Sequence, residues 1–175
     1  MDEKFFDKLI PYKTRSKVLA IAEKPKYELK NISPDKPIIF LENPSNPENI
    51  GMVLRIGAAF GAGALIVSGR NSPFSASVLR AGAGLIYAIP TFHQEFLKSD
   101  FKDRKIIVAD AEGESIKKNI ILKNSIIIFG TEREGVSKNL KNIADQILKL
   151  DMQINVSSLN LATSVSAFLY SGNFE

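Results

Sequence analysis

Short, unbroken apolar runs separated by polar, turn-forming segments set the frame of this chain. Ile38–Leu41, Ala64–Ser68, Leu85–Pro90, Lys105–Ala109, Ser125–Phe129 and Gln146–Leu150 read as strands. They are apolar throughout rather than alternating, as in strands buried on both faces of a parallel sheet. Helical spacing appears between them. Thr14 caps a predicted helix over Arg15–Glu23 with Val18, Leu19 and Ile21 inward, and Pro25 ends it. Asn49 stands at the junction of a second helix, Ile50 to Phe60, which Gly61 or Gly63 closes. Ala76–Ala81 is a short helix, His93–Leu97 one helical turn broken by Lys98-Ser99-Asp100, and a further helix begins near Ser137. Ser158 is the expected N-cap of the last helix, with Leu161, Val165, Phe168 and Leu169 on its inner face. The whole predicts an α/β fold: a single, mostly parallel sheet of about six strands flanked by helices over residues 37–175, after a short basic helical extension over 1–36.

Composition narrows the chemistry. The 175 residues contain no cysteine and one histidine, His93, so neither a disulfide framework nor a Cys/His metal centre is expected. His93 reads as a polar surface turn. No apolar run approaches the ~18 residues that span a bilayer, and the opening MDEKFFDKLIP lacks a secretory signal, so a cytoplasmic setting is expected. The net charge of +4 leans toward a polyanionic partner. Between Pro11 and Lys30 lie Lys13, Arg15, Lys17, Lys24, Lys26 and Lys30 against Glu23 and Glu28. They form either a solvated face or an RNA-contacting one.

Three loops follow predicted strands, at the edge where parallel sheets bind ligands. The first, Asn43 to Gly51, leads into a helix carrying Arg55, either a surface arginine or one with an anionic partner. The second, Phe129-Gly-Thr-Glu-Arg-Glu-Gly135, is framed by glycines that allow close backbone approach and positive φ. It matches neither a Walker loop nor a G-x-G-x-x-G fingerprint. The third, Asp151 to Asn160, ends in Ser158-Leu159-Asn160.

In this order the motifs resemble the SpoU/TrmH branch of the SPOUT RNA methyltransferases. Asn49, Gly51 and Arg55 match N-x-G-x-x-x-R; Gly130, Glu132 and Gly135 match G-x-E-x-x-G; Ser158, Leu159 and Asn160 match S-L-N. Phe74-Ser75 to Arg80-Ala-Gly-Ala-Gly84 is similar to the helix before the family's middle strand. The resemblance spans about Pro37 to Leu169. It departs where the third motif carries I-P-M-x-G: Asp151 replaces the proline and Ile154 the glycine, which bears on donor affinity.

The resemblance implies a C-terminal trefoil knot, a homodimer with a site built from both chains, and methyl transfer from S-adenosyl-L-methionine to a ribose 2′-hydroxyl of tRNA or rRNA. It implies catalytic roles for Arg55, Asn49, Glu132, Ser158 and Asn160, and donor binding by Phe129, Gly130, Thr131, Gly135, Leu150, Met152, Ser158 and Leu159. Arg55 is expected to act as a cation rather than a base, because guanidinium stays protonated. Ser158 and Asn160 are otherwise a cap and a loop buttress, and Glu132 one half of an ion pair. Lys13, Arg15, Lys17 and Arg80 are candidates for RNA contact. The alternatives are a non-catalytic knotted RNA-binding protein with weakened donor binding, motivated by Asp151 and Ile154, and an RNA base methyltransferase.

Overall fold

The structure, a computed structural model, describes Lys8, Val18 and residues 23–173 apart from 119, 155 and 157. The described strands are β1 (Ile38–Leu41), β2 (Ala64–Val67), β3 (Thr91–His93), β4 (Lys105–Ser115), β5 (Ile120–Ile121), β6 (Ser125–Phe129), β7 (Gln146–Lys149) and β8 (Gly172–Asn173). Six of them form one sheet in the order β3-β2-β1-β6-β4-β7, with every pairing parallel. Every residue of β1, β2 and β6 is buried, which is why these strands lack polar alternation.

The helices are α1 (Pro47–Ala59), α2 (Ala76–Ala81), α3 (Lys138–Asn142) and α4 (Leu161–Ser171). Side chains of alternating strand residues feed two cores. Ile39, Leu41, Leu65, Val67, Ile107, Ile127 and Phe129 pack with Ile50, Val53 and Leu54 of α1 and Val165, Phe168 and Leu169 of α4. On the other face Ile38, Phe40, Ile66, Ile106, Val108, Ile126 and Ile128 meet Phe101 and Leu140. Each such large aliphatic side chain contributes about 1.5–3 kcal/mol by leaving water. A separate parallel pair, β5 with β8, brings the end of α4 back against the β4–β6 connection.

Several local expectations are corrected. Residues 85–90 are not a strand: Leu85–Tyr87 is a 3-10 turn and the strand begins at Thr91. Only Ile86 and Ile89 of that run are buried, and three-residue spacing suits a turn, entered through Gly84 at φ +81°. No helical turn covers 93–97; His93 pairs in β3 with Val67, its Nε2 lies 2.9 Å from the Gly69 carbonyl, and the 3-10 turn falls at Lys98–Phe101. Strand β4 continues beyond Ala109 to Ser115 through an irregularity facing β7. Helix α1 starts three residues earlier than expected because Asn46, not Asn49, accepts from the Glu48 amide, with Pro47 fixing the first turn.

Thr14 and most of the helix expected over Arg15–Glu23 lie outside the described residues. Its described members, Val18 and Glu23, are not helical, and Val18 is exposed rather than inward. The chain is anchored before β1 by Arg104, whose guanidinium donates to the carbonyls of Ile32, Ser33 and Lys36, each at 2.9 Å. Tyr27 packs edge-on to Phe92, and Lys24 Nζ lies 3.3 Å from the centre of the Phe74 ring.

Gly51 lets α1 touch α2: a Cβ there would stand 2.6 Å from both the Ala81 Cβ and the Val78 carbonyl oxygen. The carbonyl belongs to backbone and cannot swing away. Gly51→Ala is therefore expected to destabilise the fold by about 1–3 kcal/mol, read as a lower urea midpoint with an unchanged m-value.

Candidate functional site

Strands β1 and β6 lie side by side at the centre of the sheet, and their outgoing loops turn to opposite faces. Such a divergence leaves a crevice at the carboxyl ends of the strands. A chain of side-chain hydrogen bonds fills it. Asn160 Nδ2 donates to Asn49 Oδ1 at 3.0 Å, and Asn49 Nδ2 donates to Glu132 Oε1 at 2.8 Å. The other Glu132 oxygen accepts from the Ser45 amide at 3.1 Å and from the Ser45 hydroxyl at 2.5 Å. Asn49, Glu132 and Asn160 belong to three loops distant in sequence, and this chain ties them together.

Asn160 also caps α4, its Oδ1 accepting from the amides of Ala162 at 2.9 Å and Thr163 at 3.4 Å. Ser158 is thus not the cap; it lies two residues before Asn160 and faces the cleft described next. The neighbouring Ser157 is outside the described residues. The ion pair considered for Glu132 is absent among the described residues; its partners are neutral donors.

Beside this chain opens a cleft of about 440 Å³, within the size range of small-molecule sites. Its wall includes Phe129, Gly130, Thr131, Gly135, Leu150, Met152, Ser158 and Leu159, together with Glu132. The 130–135 turn is closed by reciprocal bonds between Thr131 and Gly135, each 3.1 Å. A Cβ on Gly130 would overlap the Gly135 carbonyl, and Gly135 itself has φ +70°, so both glycines are required by the turn. Leu148, Leu161 and Phe168 complete the apolar wall, Phe168 lying edge-on to Phe129 at 5.4 Å.

The opposite rim is ionic and was not anticipated. Asp110 Oδ2 lies 2.6 Å from Lys141 Nζ, with Glu112 3.7 Å from the same amine. The hydrogen bond to Asp110 raises the Lys141 pKa above its ordinary value, against the opposing effect of burial. Asp110 lies in β4 and Lys141 in α3, and no sequence motif links residues so placed. The one available signal was an aspartate directly after a buried apolar run.

Not every expected site residue joins this group. Arg55 is exposed on α1 and lines no part of the cleft. Six residues beyond Asn49, it is turned about two-thirds of a revolution from it at 3.6 residues per turn. Arg80 is exposed in the last turn of α2. Lys13, Arg15 and Lys17 fall outside the described residues. The two departures in the third motif stand clear of the cleft wall. Asp151 accepts from the Ser115 hydroxyl at 2.6 Å, tying that loop to the end of β4, and Ile154 is 90% exposed. Among the described residues, no group of His, Cys, Asp or Glu is placed to hold a metal ion, and no helix is long and apolar enough to cross a membrane.

The sheet order, the three-loop crevice and its motifs define a SpoU-type domain. Residues 36–170 match the SpoU rRNA Methylase family, and the chain belongs to that family. An uncharacterized tRNA/rRNA methyltransferase of Archaeoglobus fulgidus is 30% identical over 139 residues, 76% of this chain; the match spans 62% of that relative's length. The SpoU methyltransferase AviRb of Streptomyces viridochromogenes, solved with its cofactor AdoMet, superimposes with a TM-score of 0.76 at 23% identity, over 85% of this chain and 64% of AviRb. A protein solved in work on 2-OH methylation of C/U34 on tRNA gives 0.69 at 25% identity, covering 79% of this chain and 94% of its own.

Glu132 provides a pH test. Partial burial alone would raise its pKa, but hydrogen bonds from Ser45, Asn49 and backbone amides outweigh that and hold it below the ordinary glutamate value. The folded pKa is lower than the unfolded value of about 4.3. The carboxylate therefore stabilises the fold above that value, and the contribution is lost as pH falls through the folded pKa. Denaturation midpoints measured downward from pH 7 are expected to drop more steeply below about pH 4.3 in the wild type than in Glu132→Gln. Identical acid limbs would remove Glu132 from the explanation.

Proposed function

We propose that this chain is an RNA methyltransferase that uses S-adenosyl-L-methionine to methylate a ribose 2′-hydroxyl of tRNA or rRNA. The observation that carries the reading is the bonded Asn160–Asn49–Glu132 chain at the edge of a cleft whose wall contains every residue expected to hold the donor. The cleft suits that molecule. Apolar Phe129, Leu150, Met152 and Leu159 and the backbone of the 130–135 turn fit an adenosine, and Asp110, Glu112 and Glu134 favour a cation. When bound, the donor would supply a sulfonium methyl group to the ribose oxygen and leave as a neutral thioether, with the hydroxyl proton passing out to solvent.

The protein's own contribution is position and charge. Gly130 to Gly135, with Leu150, Met152, Ser158 and Leu159, hold the adenosine end and exclude water. The Asn49–Glu132 bond fixes the turn against Ser45, so the cleft keeps its shape without a ligand. Arg55 serves as a cation that orients the neighbouring phosphate and stabilises the developing alkoxide. It is remote from its own chain's cleft, which supports a homodimer in which Arg55 acts in the partner's site. Met52 on α1 and Tyr170 on α4 are 44% and 80% exposed, and these two packed helices offer an apolar surface for a second copy. The return of β8 to pair with β5 supports passage of the C-terminal segment through the β4–β6 connection, as the trefoil knot requires. Asp151 and Ile154 stand outside the cleft wall, which favours the catalytic reading over a binding protein with weakened donor affinity.

Incubation with methyl-labelled donor and deproteinised cellular RNA, followed by nucleoside analysis, is expected to yield a 2′-O-methylated nucleoside. A methylated base would overturn the chemistry. Arg55→Ala is expected to lose about 100-fold or more of the transfer rate while binding the donor in calorimetry as the wild type does. Loss of both together would refute this role.

A further inference from the structure

A second groove, of about 480 Å³, lies against the donor cleft and shares Thr131, Arg133 and Glu134 with it. Its remaining wall is Asn43, Pro44, Ser45, Arg70 and Asn71. Hydrogen bonds fix its floor before any ligand arrives. Asn71 Nδ2 donates to the carbonyls of Pro44 at 2.8 Å and Ser45 at 3.2 Å, the Asn43 amide donates to Ser68 Oγ at 3.1 Å, and Ser45 is held by Glu132. Against this rigid floor stand two exposed guanidiniums, Arg70 and Arg133, with Glu134 as the one acid in the wall. Among the described residues, neither arginine is engaged in a hydrogen bond or an ion pair.

We infer that this groove, through Arg70 and Arg133, binds the phosphodiester backbone of the acceptor RNA strand, an inference that rests on the RNA-methyltransferase reading. Two planar cations on a preformed floor suit phosphate oxygens, which guanidinium contacts in a bidentate fashion. The shared ridge gives the site its purpose: a strand gripped in the groove passes beside the cleft that holds the methyl donor. Arg133 stands on the ridge and faces both; Arg70 faces the groove alone. Neither residue was among the basic positions singled out in the sequence, because each is an isolated arginine in a loop.

The test measures binding of bulk tRNA to the full chain across a salt series, with donor affinity and thermal midpoint measured in parallel. Arg70→Glu is expected to weaken tRNA binding about tenfold or more and to flatten the log Kd against log salt line by about 0.7–0.9, one phosphate contact. Donor affinity and thermal midpoint stay at wild-type values, because Arg70 lies outside the donor cleft and is exposed. Arg70→Lys keeps most of the affinity, and Arg133→Ala flattens the line as Arg70→Glu does. Unchanged tRNA affinity and slope in Arg70→Glu, with the wild type binding and methylating RNA, overturns the groove and leaves the enzymatic reading intact. A wild type that neither binds nor methylates RNA overturns both.

Discussion

The hydrogen-bond chain from Asn160 through Asn49 to Glu132 is the constraint on which the rest of the site depends. Its direction is fixed by chemistry. Glu132 as a carboxylate only accepts, so Asn49 turns its amide nitrogen toward it and presents its oxygen to Asn160. Asn160 in turn keeps its oxygen for the first amides of α4. An aspartate at position 49 would set two acceptors face to face, and at 160 it would lose the donor. Each amide is needed at both its ends, and a loop carrying one member cannot shift without breaking its bond to the next.

Two recesses adjoin that staple. The 130–135 turn is a thin ridge, closed by its own backbone and stripped of bulk at both glycines, with the Phe129-lined cleft on one side and the arginine-lined groove on the other. In the proposed reading, a broader wall here would hold the methyl donor and the ribose apart. The Asp110–Lys141 pair braces the far rim by joining β4 to α3, the two elements that flank the turn from outside.

Much of this was legible from residue order. Runs such as Ile126-Ile127-Ile128 admit little except a strand covered on both sides, so five of the six expected strands lie where the apolar runs are. Residues 85–90 misled because Leu85-Ile-Tyr-Ala-Ile is as apolar as a strand, and only burial shows that Leu85 and Tyr87 face outward. The caps misled for another reason. Asn46 and Asn49, or Ser158 and Asn160, are all competent caps, and the choice between them is made by contacts over 80 to 110 residues away in the chain. Glu132 and Arg55 share one motif family in sequence, yet only Glu132 belongs to the cleft of its own chain. The Asp110–Lys141 pair and the Arg70–Arg133 groove had no local signature, since each joins residues that meet only after the sheet is assembled.

The bond between Asn49 and Asn160 closes a loop of 111 residues. During synthesis on the ribosome, α1 emerges long before the helix that supplies its partner. Until α4 arrives, Asn49 lacks its donor, and the cleft lacks the wall made by Leu161, Ser164 and Phe168. A nascent chain therefore assembles most of its sheet without owning a usable binding site, and competence appears in one late step. The protein is in this sense self-proofreading: a molecule whose final helix has failed to dock has no complete cleft to offer any ligand.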